Sequence, residues 1–171
     1  MSALDQLYQQ IILDHAKARH GHGLREPEPA GAVWAESRQY NPLCGDEVTL
    51  RAAVCDDDGA VPVVTDVSWV GEGCSISQAS TSVLHELVVG RPVPEATGIV
   101  DAFRTMIRSR GQVEPDEEVL GDAAAFAGVG RHANRVKCAM LGWTAFEDAL
   151  SRAVADLYEP GNHDEPGRET R

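Results

Sequence analysis

Basic and aromatic side chains are the scarce classes in this 171-residue chain. Lys and Arg number 15 against 27 Asp and Glu, which sets a formal net charge of -12, and Phe, Trp and Tyr together make up 5%. Such a surface repels phosphate backbones, and no basic stripe with interleaved aromatics compensates, so nucleic acid is not the expected partner. Long apolar runs are also missing. No stretch approaches the roughly 18 consecutive apolar residues of a membrane span, and Met1-Ser2-Ala3-Leu4-Asp5-Gln6 lacks the basic start and apolar run of a signal peptide. The expectation is a cytoplasmic protein without a membrane partner. Cysteine is sparse too, at four residues. In a reducing compartment these read as metal ligands or reactive thiols rather than as two disulfides.

What remains is enough apolar content, 43%, for one core. A single domain is expected over residues 1–158, followed by a disordered acidic tail over 159–171, where Gly161, Asn162, Asp164, Glu165, Pro166 and Gly167 accumulate. Leu4, Leu7, Ile11 and Ile12 recur at helical spacing from Ser2 to about Ala18. Residues near Ala32–Tyr40, Val48–Cys55 and Val61–Val70 are rich in β-branched and aromatic types, and Asp57-Asp58-Gly59 supplies a turn, which together predict a small antiparallel meander. After Cys74 the period becomes 3.6, with Ile76, Ala79, Val83, Leu84 and Leu87 on one face, ending at Gly90 with Pro92 beyond. Further helices are predicted over Glu95–Arg108 and Glu117–Leu120. The longest is predicted from about Asn134 to Tyr158, where Val136, Met140, Trp143, Leu150, Val154 and Leu157 form a core stripe. The acid runs Asp56-Asp57-Asp58 and Glu114-Pro115-Asp116-Glu117-Glu118 read as solvated turns or helix starts.

Three cysteines sit in informative company: Asn41-Pro42-Leu43-Cys44-Gly45-Asp46-Glu47, Gly71-Glu72-Gly73-Cys74-Ser75-Ile76-Ser77, and Arg135-Val136-Lys137-Cys138-Ala139-Met140. With Asp46 they offer three thiolates and one carboxylate, a four-coordinate set for zinc or for one edge of an iron-sulfur cluster. Gly45 allows a sharp turn, so Cys44 and Asp46 can face one ion. Cys74 is placed just before a helix N-terminus, where the dipole favours a thiolate and Ser75-Ile76-Ser77-Gln78 offers a capping box. Cys138 opens the last helix, three residues after Arg135, on one face with it. Three thiolates, one carboxylate and Zn²⁺ sum to -2, so Arg135 is a functional candidate; the alternative is a surface arginine at a helix start. Cys55, inside Ala52-Ala53-Val54-Cys55, reads as a small core hydrophobe. His20 and His22 read as a polar helix exit, although two histidines so spaced could bind metal.

These embedding residues resemble the U-type iron-sulfur scaffold superfamily: a first helix with Leu7-Tyr8, a Cys-Gly-Asp turn at 44–46, a Gly-x-Gly-Cys junction at 71–74, and a third cysteine, Cys138, opening the last helix. The resemblance spans about Leu7 to Leu157. Within it the chain is similar to the SufU branch. Lys137 stands before the third cysteine where IscU scaffolds carry His, the segment Gly90–Gly111 looks like the SufU insertion, and the Arg-x-x-Cys of SufU is present as Arg135 to Cys138. Asn134 departs from the proline often found before that arginine.

The resemblance implies an α+β fold, a small antiparallel three-stranded sheet packed by helices with the metal site at one exposed end. It implies zinc held by Cys44, Asp46, Cys74 and Cys138, and persulfide sulfur accepted on Cys44 from a pyridoxal-phosphate cysteine desulfurase of the SufS type, for delivery to a downstream Suf cluster scaffold. Cys44 would be released when a desulfurase histidine replaces it as ligand, and Arg135 matches an arginine linked to activity. The alternative is a scaffold that holds a transient [2Fe-2S] cluster on the same ligands. The acidic charge further predicts a basic docking surface on the desulfurase and salt-sensitive association. The roles of His20, His22 and His132 are open at this stage.

Overall fold

The first helix, α1 (Ala3–Ala18), starts where its predicted apolar spacing starts, and Ser2 supplies the reason. The Ser2 hydroxyl accepts from the Asp5 amide and the Asp5 carboxylate accepts from the Ser2 amide, each at 3.1 Å, which satisfies two of the amides a helix start leaves over. The structure, a computed structural model, describes residues 2–27, 31–56 and 61–159. The predicted turn at Asp57-Asp58-Gly59 and the predicted tail from Pro160 onward lie outside them.

The three expected strands are present: β1 (Val33–Asn41), β2 (Asp46–Cys55) and β3 (Val63–Glu72), in the order β1-β2-β3 and antiparallel throughout. Alternation in β2 buries Val48, Leu50 and Ala52 on one face, as a half-covered sheet requires. Helices cover that face. They are α2 (Ser75–Val88), α3 (Val93–Arg108), α4 (Glu117–Leu120) and α5 (Ala133–Tyr158). α5 lies along β1 and β2, α2 packs on α1 and α5, and α3 closes the far side. The fold is therefore α+β, as expected.

Large side chains fill the space between sheet and helices. Phe103 of α3 stacks flat on Trp143 of α5, with centroids 4.0 Å apart, and the Trp143 indole donates to Ser80 Oγ of α2 at 2.9 Å. Ser80 in turn donates to the Ala139 carbonyl at 2.6 Å, so this fully buried hydroxyl ties α2 to α5 and is itself satisfied. His15 does the same for α1: its ring meets Ser82 Oγ and Asp122 Oδ2, both at 2.9 Å. His20 and His22 also serve the fold. Residues 21–23 run beside β3 through Trp69 N–H to Gly21 O and Gly23 N–H to Trp69 O, and the His22 ring packs edge-on against the Trp69 indole. Burial, and then the Arg19 charge, push the His22 imidazole below its ordinary range.

Two features differ from the sequence expectation. A 3-10 helix spans Gly121–Arg131, where no element was predicted, because Ala123, Ala124, Ala125 and Phe126 are buried in succession and leave no periodic polar face to read. Helix α3 begins at Val93, two residues earlier than predicted, since Pro94 is tolerated in a first turn that needs no amide. Among the described residues no helix is long and apolar enough to cross a membrane.

Candidate metal centre

Strand register places the first two candidate residues. Asn41 and Asp46 face each other at the open end of β1 and β2, and Pro42 to Gly45 form the connection. The Asn41 carbonyl accepts from the Gly45 amide at 2.9 Å, and Asn41 Oδ1 accepts from the Leu43 amide at 3.1 Å. Gly45 has φ +71°, a left-handed conformation that a side chain disfavours. The turn thus leaves Cys44 exposed at its tip and carries Asp46, 2% exposed, into the protein.

Cys74 arrives from the neighbouring strand. β3 ends at Glu72, and Cys74 is the N-cap of α2. The expected capping box at Ser75–Gln78 is absent, and Cys74 itself makes no side-chain cap. Asp46 does related work from outside the helix: its Oδ1 accepts from the Cys74 amide at 3.2 Å, and its Oδ2 lies 3.5 Å from Cys74 Sγ. This closeness depends on Gly73, where an added Cβ would come within 2.8 Å of Asp46 Oδ1 and would strike the Ser77 hydroxyl. Ser77 donates to the Cys74 carbonyl at 3.1 Å and is 7% exposed, so the junction is braced from below. Sequence reading missed the part played by Gly73; its only signal was the Gly-x-Gly flanking the cysteine.

Cys138 completes the group from α5. It is 6% exposed, and its Sγ lies 3.4 Å from Cys44 Sγ and 3.6 Å from the Asn134 carbonyl of the preceding turn. One donor atom each from Cys44, Asp46 and Cys138 falls within 4.8 Å of the others. Cys74 falls outside that mutually close group and touches it through Asp46, its Sγ 3.5 Å from Asp46 Oδ2. Thus the four candidate residues, drawn from a hairpin turn, a strand-to-helix junction and a helix start, converge on one place.

Soft thiols with one carboxylate suit zinc or an iron-sulfur cluster. Sulfurs bound to one tetrahedral zinc at about 2.3 Å each stand about 3.8 Å apart, close to the spacing seen here. Electrostatics point the same way. Burial first, then hydrogen bonds to Asp46 and Cys44, then the nearby Cys74 and Asp46 charges push the Cys138 thiol far above its ordinary range. A cluster that repels its own negative charge is one that a cation relieves. The donor set therefore fits the metal groups that the sequence suggested.

The remaining candidates are not among the groups that converge on this point. Arg135 is exposed on the first turn of α5; its amide donates to the His132 carbonyl at 2.9 Å, and its side chain forms no hydrogen bond or ion pair among the described residues. His132, the N-cap of α5, is exposed and makes no side-chain cap. Cys55, at the end of β2, is half-buried and distant in sequence register from the cluster.

Residues 7–139 match the NifU-like N terminal domain family. The chain is 33% identical over 154 residues to the iron-sulfur cluster assembly scaffold protein IscU of Streptococcus pyogenes serotype M1, covering 90% of this chain and 89% of that one. It is also 33% identical over 150 residues to the zinc-dependent sulfurtransferase SufU of Bacillus subtilis strain 168, covering 87% and 92%. Among solved structures, a putative iron-sulfur cluster assembly scaffold protein for the SUF system from Fervidobacterium islandicum AW-1 aligns with a TM-score of 0.67 at 33% identity, covering 85% of this chain and 97% of that one. A NifU-like protein (N-terminal) from Brucella abortus aligns with a TM-score of 0.69 at 27% identity, covering 90% and 99%.

Proposed function

Because the chain belongs to the NifU-like N-terminal domain family, whose members include the IscU and SufU iron-sulfur cluster assembly proteins, we propose that it is a zinc-dependent sulfur-transfer protein of cluster assembly. Cys44, Asp46, Cys74 and Cys138 are the metal ligands, and Cys44 is the sulfur acceptor. The observation that carries this reading is the convergence of three thiols and a carboxylate with one thiol, Cys44, exposed on a glycine turn.

A bound zinc ion keeps the thiols deprotonated at neutral pH and offsets part of their charge. The ligands differ in freedom to leave. Cys138 is buried in α5, and Cys74 is anchored through its amide to Asp46, whereas Cys44 rides on the four-residue turn. Its Sγ attacks the outer sulfur of a persulfide on a SufS-type, pyridoxal-phosphate cysteine desulfurase. A new S–S bond forms on Cys44, the desulfurase S–S bond breaks, and the desulfurase cysteine departs as a thiolate that takes up a proton. The transferred sulfur keeps its oxidation level, so no further oxidant or reductant is needed. Arg135, exposed, without an ion-pair partner among the described residues, and three residues before Cys138, is suited to hold the negative charge of the incoming persulfide. The sulfur then passes to a downstream Suf scaffold. Chemistry on free thiols suits a reducing compartment such as the cytoplasm.

The test is metal content of anaerobically purified protein followed by desulfurase turnover with and without it. Stoichiometric zinc and strong stimulation, lost in Cys44→Ala, are expected. Because the Streptococcus relative is named a scaffold, the competing reading is a [2Fe-2S] cluster assembled on the same residues as cargo. Bound iron and sulfide with little stimulation would establish that reading instead.

A further inference from the structure

A cavity of about 510 Å³ opens between the end of α3, the end of the 3-10 helix and the start of α5. Its floor is apolar, from Ile107, Val136 and Met140, and its rim carries Arg108, Arg110, Arg131 and Lys137. Such a cluster runs against the composition of a chain with 27 acidic and 15 basic residues. It also runs against the behaviour of most other described arginines. Arg25, Arg38, Arg51, Arg91, Arg104 and Arg152 each pair with a carboxylate. The side chains of the four rim cations form no ion pair or hydrogen bond among the described residues, and among them Arg131 stands near enough to a carboxylate, Asp5, to help hold it below its ordinary range.

Two further observations sharpen the contrast. No carboxylate occurs in the sequence between Asp122 and Glu147. The first turn of α5, which supplies Ala133 to the cavity wall, has neither an acidic residue nor a side-chain cap, so the positive end of the longest helix is left unopposed. The segment Gly90–Gly111, which adds α3 and contributes no candidate ligand, builds one wall of this cavity.

We propose that this cavity docks a short acidic segment of the sulfur-donating partner, with one apolar side chain on the Ile107–Val136–Met140 floor and flanking carboxylates on the rim cations. Charge complementarity selects the occupant. Guanidinium groups fork onto carboxylates, and an apolar floor of this size takes a side chain. Lys137 and Cys138 are neighbours on α5, so a partner held here is held beside the thiol cluster. The proposal rests on the preceding reading for the identity of the partner. It reverses, at this face, the sign of the docking surface that net charge alone predicts.

The test is titration calorimetry of the SufS-type desulfurase against the full-length protein, its Arg108→Glu/Arg110→Glu and Arg108→Gln/Arg110→Gln variants, and Arg91→Glu, which matches the net charge change of the Gln pair, as a charge-reversal control away from the cavity. Sulfur acceptance by wild type and Cys44→Ala is measured in parallel. The expected result is at least a tenfold loss of affinity in the Glu pair, a smaller loss in the Gln pair, and little change in Arg91→Glu. Equal affinity for wild type and both pairs, with Cys44-dependent sulfur acceptance intact, overturns the docking site and leaves the proposed function standing. Absence of both binding and sulfur acceptance in wild type overturns both. Sodium citrate alone, titrated into ¹⁵N-labelled protein, is expected not to shift the amides of residues 108–111 and 130–140 below 1 mM; saturation in that range marks a small-polyanion site and overturns the docking proposal.

Discussion

Gly73 decides whether Asp46 can stand against the Cys74 junction, because any Cβ there would come within 2.8 Å of the carboxylate. Gly73→Ala is therefore expected to weaken metal binding at least tenfold, while the far-UV spectrum and folding midpoint change little, since the residue lies at the exposed end of the sheet. Competition with a zinc chelator measures the first, and circular dichroism the second. Unchanged affinity would remove Gly73 from the account. The cysteines themselves differ by burial. Cys44 and Cys74 are exposed, whereas Cys138 is 6% exposed. Iodoacetamide is expected to label Cys44 and Cys74 well before Cys138, with mass spectrometry of timed digests as the readout. Labelling of Cys138 first would mean that the α5 start opens readily.

At the scale of elements, the helices are held to one another by buried polar links as well as by apolar packing. His15 joins α1 to Ser82 of α2 and to Asp122 of the 3-10 helix. His15→Ala removes both hydrogen bonds and leaves a small void, and a loss of roughly 2 kcal/mol in urea unfolding is expected. A loss below about 0.5 kcal/mol would show that α1 is held by its apolar face alone. α5 is joined to β1 differently. Asp148 accepts from Ser37 Oγ at 2.7 Å and from Arg152 at 2.9 Å. Burial raises its pKa, but the hydrogen bonds from Arg152 and Ser37 outweigh it, and the carboxyl is held below its ordinary value. A carboxylate with a depressed folded pKa stabilises above its unfolded pKa, about 3.9, and that contribution fades as pH falls through the lower folded value. Asp148→Asn is thus expected to be less stable than wild type at pH 7, with the difference narrowing as pH falls below the unfolded value. The side chain is 46% exposed, so screening limits the difference to under about 1 kcal/mol. A gap that persists unchanged at low pH would assign the effect to packing.

For the whole molecule, the proposed metal site ties together a hairpin turn, a helix cap and the start of the longest helix, which are far apart in sequence. A ligand that binds only the folded form at about 100 times its dissociation constant adds about 2.7 kcal/mol. At about 2–4 °C per kcal/mol for a domain of this size, chelation is expected to lower the melting temperature by several degrees. Scanning calorimetry with and without chelator reads this directly; an unchanged midpoint would mean that the folded form holds no metal selectively at this site.

Much of this arrangement is legible from local pattern. Strands β1 to β3 and helices α1, α2, α4 and α5 follow from β-branched runs and 3.6-residue spacing, and Cys44, Asp46, Cys74 and Cys138 stand out through their glycine-rich settings. The 3-10 helix Gly121–Arg131 was hidden because complete burial erases periodicity. The support of Cys74 by Asp46 in place of a capping box was equally hidden, being a contact across 28 residues. By itself, then, the sequence determined which residues prefer helix or strand and which side chains can hold a soft metal, because those properties depend on near neighbours and on atom type. Only the tertiary structure decided that the candidate ligands meet, and that four cations with no carboxylate partner among the described residues gather at one cavity beside them, because both are distances between elements that no local pattern encodes.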